Sequence, residues 1–506
     1  MAHPTANVTV TATHVVNSKH PIFLQDPFIL GPFDQLLHFG IPVSAVWIYE
    51  SSSSSAGLIP IERLRNAISR LLDYYPHLTG RLRIDPNTDV RSITRLSSGV
   101  HLLEAYCDAP LRSFATASGR ELSIFDFPNV GNVLLAPWDT SLEGTQRDPV
   151  FTIQRTEFAC ASVAIGIRLS HVLASAGGFL RLYQDLAAIY RATTMTFSAI
   201  EGQLDFELAS PPDITPFMVT PMLHMRADEQ KKALAEQPPA YSLRDRDANA
   251  ETHAQNEARS KKQNAGMDPI VGRTLRFSPA AIATLKGRTV DRTLGSRDTP
   301  SNAREPSAFT ALSAHLWQRT HRARLALGAP PTSNSTSEDV LSRSVFGTNV
   351  NFIPHLGLPE RLFGNTILTP YVELESTKLS HAPLWEISKI ISGLVHHVSE
   401  DEVRQIGSWV AAQPKKSRIQ LDFPVMPTSF IASGWHRFPL YSGTEFDVAP
   451  ALASPVFMDA MFDGMVYFLE AKAQDGGVDA IISLRSSIWG YLDQDKEFIT
   501  NWDRAG

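Results

Sequence analysis

Apolar positions recur along this chain with two different periods, and each period names elements. Ile61, Leu64, Ile68, Leu71, Leu72 and Tyr75 fall at helical spacing, which predicts an amphipathic helix from Pro60 to Tyr75. Proline suits its first turn, and Pro76 ends it. Residues 78–84 then read as a turn leading into a strand. Between Phe151 and Leu169 the period shortens to two. Val163, Ile165, Ile167 and Leu169 point one way with Ala164, Gly166 and Arg168 between them, predicting one or two strands. That run leads straight into Ser170 and His171. A helix follows, with Phe179, Leu182, Leu186 and Ile189 on one face and Ser175 placed to cap it. Later elements are a short strand over 271–277, a helix over 307–326 carrying Phe309, Leu312, Leu316 and Thr320 with Trp317 beside them, and a helix over 384–396.

The stretch 244–268 is charged and polar with almost nothing to bury, so it reads as a linker, and 51–55 (five serines) reads as a surface loop. No fixed-period repeat is visible. Helix and strand mix on both sides of the linker, which predicts an α/β class with mixed sheets in two lobes: residues 1–240, a crossover linker over 241–270, and residues 271–506. Composition changes this picture little. With 43% hydrophobic and 19% charged residues in 506, the chain is globular and can fill large cores, which excludes a disordered, collagenous or coiled-coil protein. A net charge of −6 gives no general pull toward nucleic acid or an anionic membrane. Cys107 and Cys160 cannot make a disulfide framework, and the start MAHPTANVTV has neither a basic nor an apolar leader segment. No apolar run approaches the roughly 18 residues a spanning helix requires. A cytoplasmic monomer without membrane or nucleic-acid partners is the expectation.

The chain lacks the nucleophile elbow, the phosphate-binding loop, the dinucleotide fingerprint and the HExxH zinc motif. None of its sixteen histidines stands at metal-ligand spacing with Cys, Asp or other His; His396 and His397 point apart on a helix, and His315 and His321 share no face, so these read as structural or surface residues. His171 differs. It sits at the exit of an apolar strand, where a rigid scaffold presents a side chain to a cleft, and Gly177 and Gly178 let a ligand approach the backbone. A neutral imidazole there can take a proton from an alcohol or amine, or it can be a satisfied core histidine.

The segment 154–171, QRTEFACASVAIGIRLSH, resembles the strand pair leading into the His-x-x-x-Asp motif of the BAHD acyltransferases. Tyr74-Tyr75-Pro76 with Gly80-Arg81-Leu82 is similar to that family's early helix and its YPLAGRL segment. The run from Phe309 to Trp317 looks like the helix opening its second lobe, 358–365 (LPERLFGN) like its YFGN turn, and Ser433-Gly-Trp435 like the SW pair before its C-terminal signature. The length resembles fungal members. The resemblance implies two chloramphenicol-acetyltransferase-like lobes around a central solvent channel. It also implies His171 as general base, acyl-coenzyme A as co-substrate with no bound cofactor or metal, and a small natural-product acceptor.

The family's His-x-x-x-Asp reads here His171-Val-Leu-Ala-Ser175, and Asn351 aligns with the arginine that pairs with the aspartate. Replacing both members of a buried ion pair can be nearly neutral where losing one is costly. Ser175 is then a cap or a partner for Asn351, or a nucleophile. The DFGWG signature is reduced to EFDVA over 445–449; Val448 removes an indole N–H near the oxyanion, and Thr428 or Ser429 is the expected replacement donor. With Trp435, these are the candidate substrate-binding positions. Three readings stand open: acyl transfer to a hydroxyl or amine of a natural product; the same channel used without coenzyme A for a cyclisation, isomerisation or cycloaddition; and a degenerate binding protein.

Overall fold

The alternating run folds as a hairpin of two strands, Phe151–Phe158 and Val163–Ser170, paired antiparallel from Phe151↔Leu169 to Glu157↔Val163. Both faces of its second strand are buried. Val163, Ile165, Ile167 and Leu169 enter one core, while Ala164 packs in another and Gly166 lies where a Cβ would strike the Leu134 carbonyl. The fold is known from a computed structural model, which describes residues 6–51, 57–115, 122–196, 207–244, 268–291, 305–328, 341–424, 426–457 and 461–502. Nearly all of the polar stretch 244–268, and all but Ser51 of the serine patch, lie outside them.

The hairpin is the centre of a six-stranded mixed sheet in the order Val8–Val16, Val100–Cys107, Phe151–Phe158, Val163–Ser170, Pro42–Tyr49, Leu452–Pro455. Helices Ile61–Tyr74 and Ala176–Thr196 cover one face. They bury Leu64, Ile68, Leu71 and Leu72 from the first and Phe179, Leu182, Leu186 and Ile189 from the second, as their periodicity requires. A second six-stranded sheet runs Ile270–Phe277, Val478–Arg485, Met465–Glu470, Phe430–Gly434, Arg343–Thr348, Tyr371–Glu375. Against it packs helix Ala308–Leu327, buried on nearly every side from Phe309 to Arg324, with helix Leu384–His396 behind. Trp317 is anchored within that core by its indole N–H to Ser344 Oγ at 2.8 Å.

The architecture is therefore mixed α/β with one large sheet per half. One strand departs from chain order. Leu452–Pro455 lies within the range expected for the second lobe, yet it pairs antiparallel with Pro42–Tyr49, from Leu452↔Ile48 to Pro455↔Ala45, and closes the edge of the first sheet. The first core likewise takes in Trp435, Leu440, Phe446 and Phe457.

Candidate active site

His171 leaves the Val163–Ser170 strand at the seam between the two sheets. Its backbone N–H bonds to the Ile41 carbonyl at 3.0 Å, Ser175 N–H bonds to the Gly364 carbonyl at 3.1 Å, and helix Ala176–Thr196 begins one residue later. The turn thus hangs between the first sheet and the Phe363-Gly364-Asn365 loop of the second half. The imidazole borders a cavity of about 620 Å³, lined from the first half by Ser44, His171, Ser175 and Gly177 and from the second by Asn351, Trp435, His436 and Tyr467 among others. That volume is in the range of small-molecule sites.

Burial lowers the His171 pKa, opposed by the carbonyls of His171 and Ala174 and by the Asn365 side chain. The ring is therefore neutral at ordinary pH and able to accept a proton. Its Nδ1 is buried without a hydrogen-bond partner. Two further groups share the wall. Burial drives His436 down to about 4, and its ring stacks on Phe309 at 6.2 Å. Tyr467 is held between Trp435 and Phe457 by edge contacts at 5.5 and 5.3 Å. Burial raises its phenol to about 12, so it stays protonated and can donate. No Asp or Glu is among the described lining residues, and Arg437, exposed, is the one Arg or Lys among them. Such a lining sets no carboxylate against an anionic ligand.

Of the positions singled out in the sequence, His171, Ser175, Gly177, Asn351 and Trp435 meet at this cavity. Gly178 does not line it; a Cβ there would touch Ala174 and Phe363. Thr428 and Ser429 are fully buried elsewhere, with hydroxyls already donating to the carbonyls of Arg343 (2.7 Å) and Pro424 (3.3 Å), so neither is a donor to this cavity. Asn351 Oδ1 accepts from Ile353 N–H at 3.0 Å and serves its own turn. The altered signature is also placed away from this cavity: none of residues 445–449 lines it. Asp447 instead accepts from Ile59 N–H (2.7 Å), Arg63 (2.9 Å) and the Tyr190 hydroxyl (2.9 Å), so the residue standing where the family has glycine is an anchor. Val448 packs against the first core. Tyr467 and His436 were not legible in sequence, because only the packing of distant segments brings them to His171, and Asn365 was legible as the end of the 358–365 turn but not as a partner of His171. Among the described residues no group of three or more His, Cys, Asp or Glu is placed to hold a metal, and no helix is long and apolar enough to cross a membrane.

The Transferase family, that of the BAHD acyltransferases, matches residues 6–499. Benzyl alcohol O-benzoyltransferase of Nicotiana tabacum is 24% identical over 372 residues, covering 73% of this chain and 67% of that protein. Putrescine hydroxycinnamoyltransferase of Oryza sativa subsp. japonica is 21% identical over 491 residues, 94% of this chain and 96% of that one. Among solved structures, F. graminearum TRI101 complexed with coenzyme A and T-2 mycotoxin superposes with a TM-score of 0.65 at 16% identity, covering 94% of this chain and 99% of that one. Vinorine synthase does so with a TM-score of 0.62 at 15% identity, over 98% and 99%. The two-sheet α/β arrangement is the fold of those structures.

Proposed function

The chain belongs to the Transferase family of BAHD acyltransferases, and from that premise we propose that it moves an acyl group from a coenzyme A thioester to a hydroxyl or amine of a small natural product. The observation that carries this reading is the neutral, partly open imidazole of His171 on a cavity that both halves line and that carries no carboxylate among its described residues. TRI101 is recorded with coenzyme A, and the relatives are named for benzoyl and hydroxycinnamoyl transfer to an alcohol and an amine, which supports the donor and acceptor classes.

The steps follow from proton inventory. His171 takes the acceptor's proton as the acceptor oxygen or nitrogen attacks the thioester carbon. The tetrahedral oxyanion receives a hydrogen bond from the Tyr467 phenol. The C–S bond then breaks, and the leaving thiolate takes the proton back from the imidazolium. An ester or amide and free coenzyme A leave, and no covalent acyl-enzyme forms. The case for chemistry without coenzyme A drew on the altered 445–449 signature, and with that segment anchored away from the cavity no observation favours it.

Coenzyme A or benzoyl-coenzyme A is expected to raise the Tm, because a ligand that binds only the folded state stabilises it. With benzoyl-coenzyme A and a panel of alcohols and amines, thiol release is expected to vanish in His171→Ala and to fall about a hundredfold in kcat in Tyr467→Phe with KM little changed. No stabilisation at millimolar coenzyme A would reject the reading.

A further inference from the structure

Asn365 holds the main chain of His171. Its Nδ2 donates to the His171 carbonyl at 2.8 Å and to Asp34 Oδ1 at 3.2 Å, while its own backbone N–H donates to the same Asp34 oxygen at 2.9 Å. Asp34 is in turn fixed by the Gly31 N–H at 2.9 Å, and its backbone carbonyl accepts from Arg91 at 2.9 Å. Two oxygens therefore claim the amino end of the Asn365 amide, and only an NH2 group satisfies both. The amide orientation is settled by its partners, and its Oδ1 must point elsewhere.

Two buried polar atoms remain without partners where these side chains meet, Asn365 Oδ1 and His171 Nδ1. One is an acceptor only; the other becomes a donor in one of the two neutral tautomers. We propose that Asn365 is the positioning residue of the catalytic base: its Oδ1 accepts the His171 Nδ1–H, which fixes the tautomer that leaves Nε2 free to take the acceptor's proton. Burial lowers the imidazole pKa, and the Asn365 side chain acts with the carbonyls of His171 and Ala174 in raising it against that burial. Every influence on that ring is neutral: burial, two carbonyls and an amide. The nearest charges in the network are Asp34, which bonds to Asn365, and Arg91, which faces Asp34. The orienting group is thus an amide, with a buried carboxylate one hydrogen bond further back. Ser175, which stands where the resemblance leads one to look for a carboxylate, has no part in this chain.

The proposal rests on the acyl-transfer reading for its kinetic consequence but not for its primary test. In the full chain labelled with 13C at histidine Cε1, the His171 signal is identified by its loss in His171→Gln and titrated. Asn365→Asp sets a carboxyl against Asp34, and the pair, which keeps at least one negative charge and now reaches the ring, is expected to raise the His171 midpoint by about one pH unit or more. Asn365→Ser, which shortens the acceptor, is expected to lower it, and reads the same contact should the aspartate variant not fold. An unchanged midpoint in the variants that fold overturns the proposal, whatever the enzyme transfers. With benzoyl-coenzyme A as donor, Asn365→Ser is expected to lower kcat at least about tenfold at nearly constant KM, with the bound tautomer no longer fixed. Equal losses in folding and turnover without a shift in midpoint would make Asn365 a structural residue only. Failure of coenzyme A to bind would reject the reaction while leaving the titration to decide the role of Asn365.

Discussion

Asp185 and Arg361 carry the buried ion pair that Ser175 and Asn351 lack. Arg361 Nη2 meets Asp185 Oδ2 at 2.5 Å with side chains 16% and 10% exposed, and Tyr75 donates to the same carboxylate oxygen at 2.7 Å. The pair joins helix Ala176–Thr196 to the loop that contains Asn365, much as a pair at Ser175 and Asn351 would join the start of that helix to the second half. Burial outweighs Tyr75 and Arg361 at Asp185, whose pKa is raised. The carboxylate therefore depends on its partners to stay charged. Arg361→Ala leaves it buried and unpaired and is expected to cost about 3–5 kcal/mol in urea denaturation, whereas Asp185→Leu combined with Arg361→Met should cost less than the single change. A loss below about 1 kcal/mol in Arg361→Ala would show that the pair holds nothing. The sequence displays the missing aspartate at 175, but its counterpart at 185 pairs with a residue far along the chain, and no local period encodes that.

Helices are the scale at which the sequence is most readable, because a 3.6-residue period reports one buried stripe. The helices read from residues 60–75 and 384–396 are Ile61–Tyr74 and Leu384–His396. The Ala308–Leu327 helix was also legible, but not its burial on nearly every side, which depends on the sheet beneath and the helices around it. That burial encloses His315 and His321, whose pKa values burial lowers to about 3 and about 4. In the native state both rings stay neutral well below their ordinary value near 6.5, while the unfolded chain protonates them there. Native stability is therefore fully present above about pH 6.5 and is lost as pH falls from there toward 3–4, by up to about 1.4 kcal/mol per pH unit for each histidine. Urea midpoints measured from pH 7 to pH 4.5 are expected to fall in the wild type and to fall less steeply in His315→Gln with His321→Gln. Equal slopes would refute the assignment. Short strands are the opposite case. The four residues Leu452–Pro455 show no alternation long enough to read, and their partner lies some four hundred positions earlier.

At the scale of the whole molecule, the resemblance in a few motifs was enough to reach the fold, and His171 was reachable from the strand that delivers it. The supporting atoms were not, since Tyr467, His436 and Asn365 acquire meaning only when both halves assemble around one cavity. The Leu452–Pro455 strand makes that assembly obligatory. Without it Pro42–Tyr49, a strand buried along its length, becomes an open edge with unpaired N–H and C=O groups. Residues 1–244 expressed alone are therefore expected to aggregate and to become soluble when 268–506 is co-expressed; a soluble, cooperatively melting 1–244 fragment would refute this. During synthesis the same dependence sets a clock. The amino-terminal half emerges first and must wait with its sheet unsealed until about nine-tenths of the chain has left the ribosome, so it is exposed to chaperones and to misassembly for about two-fifths of the time translation takes.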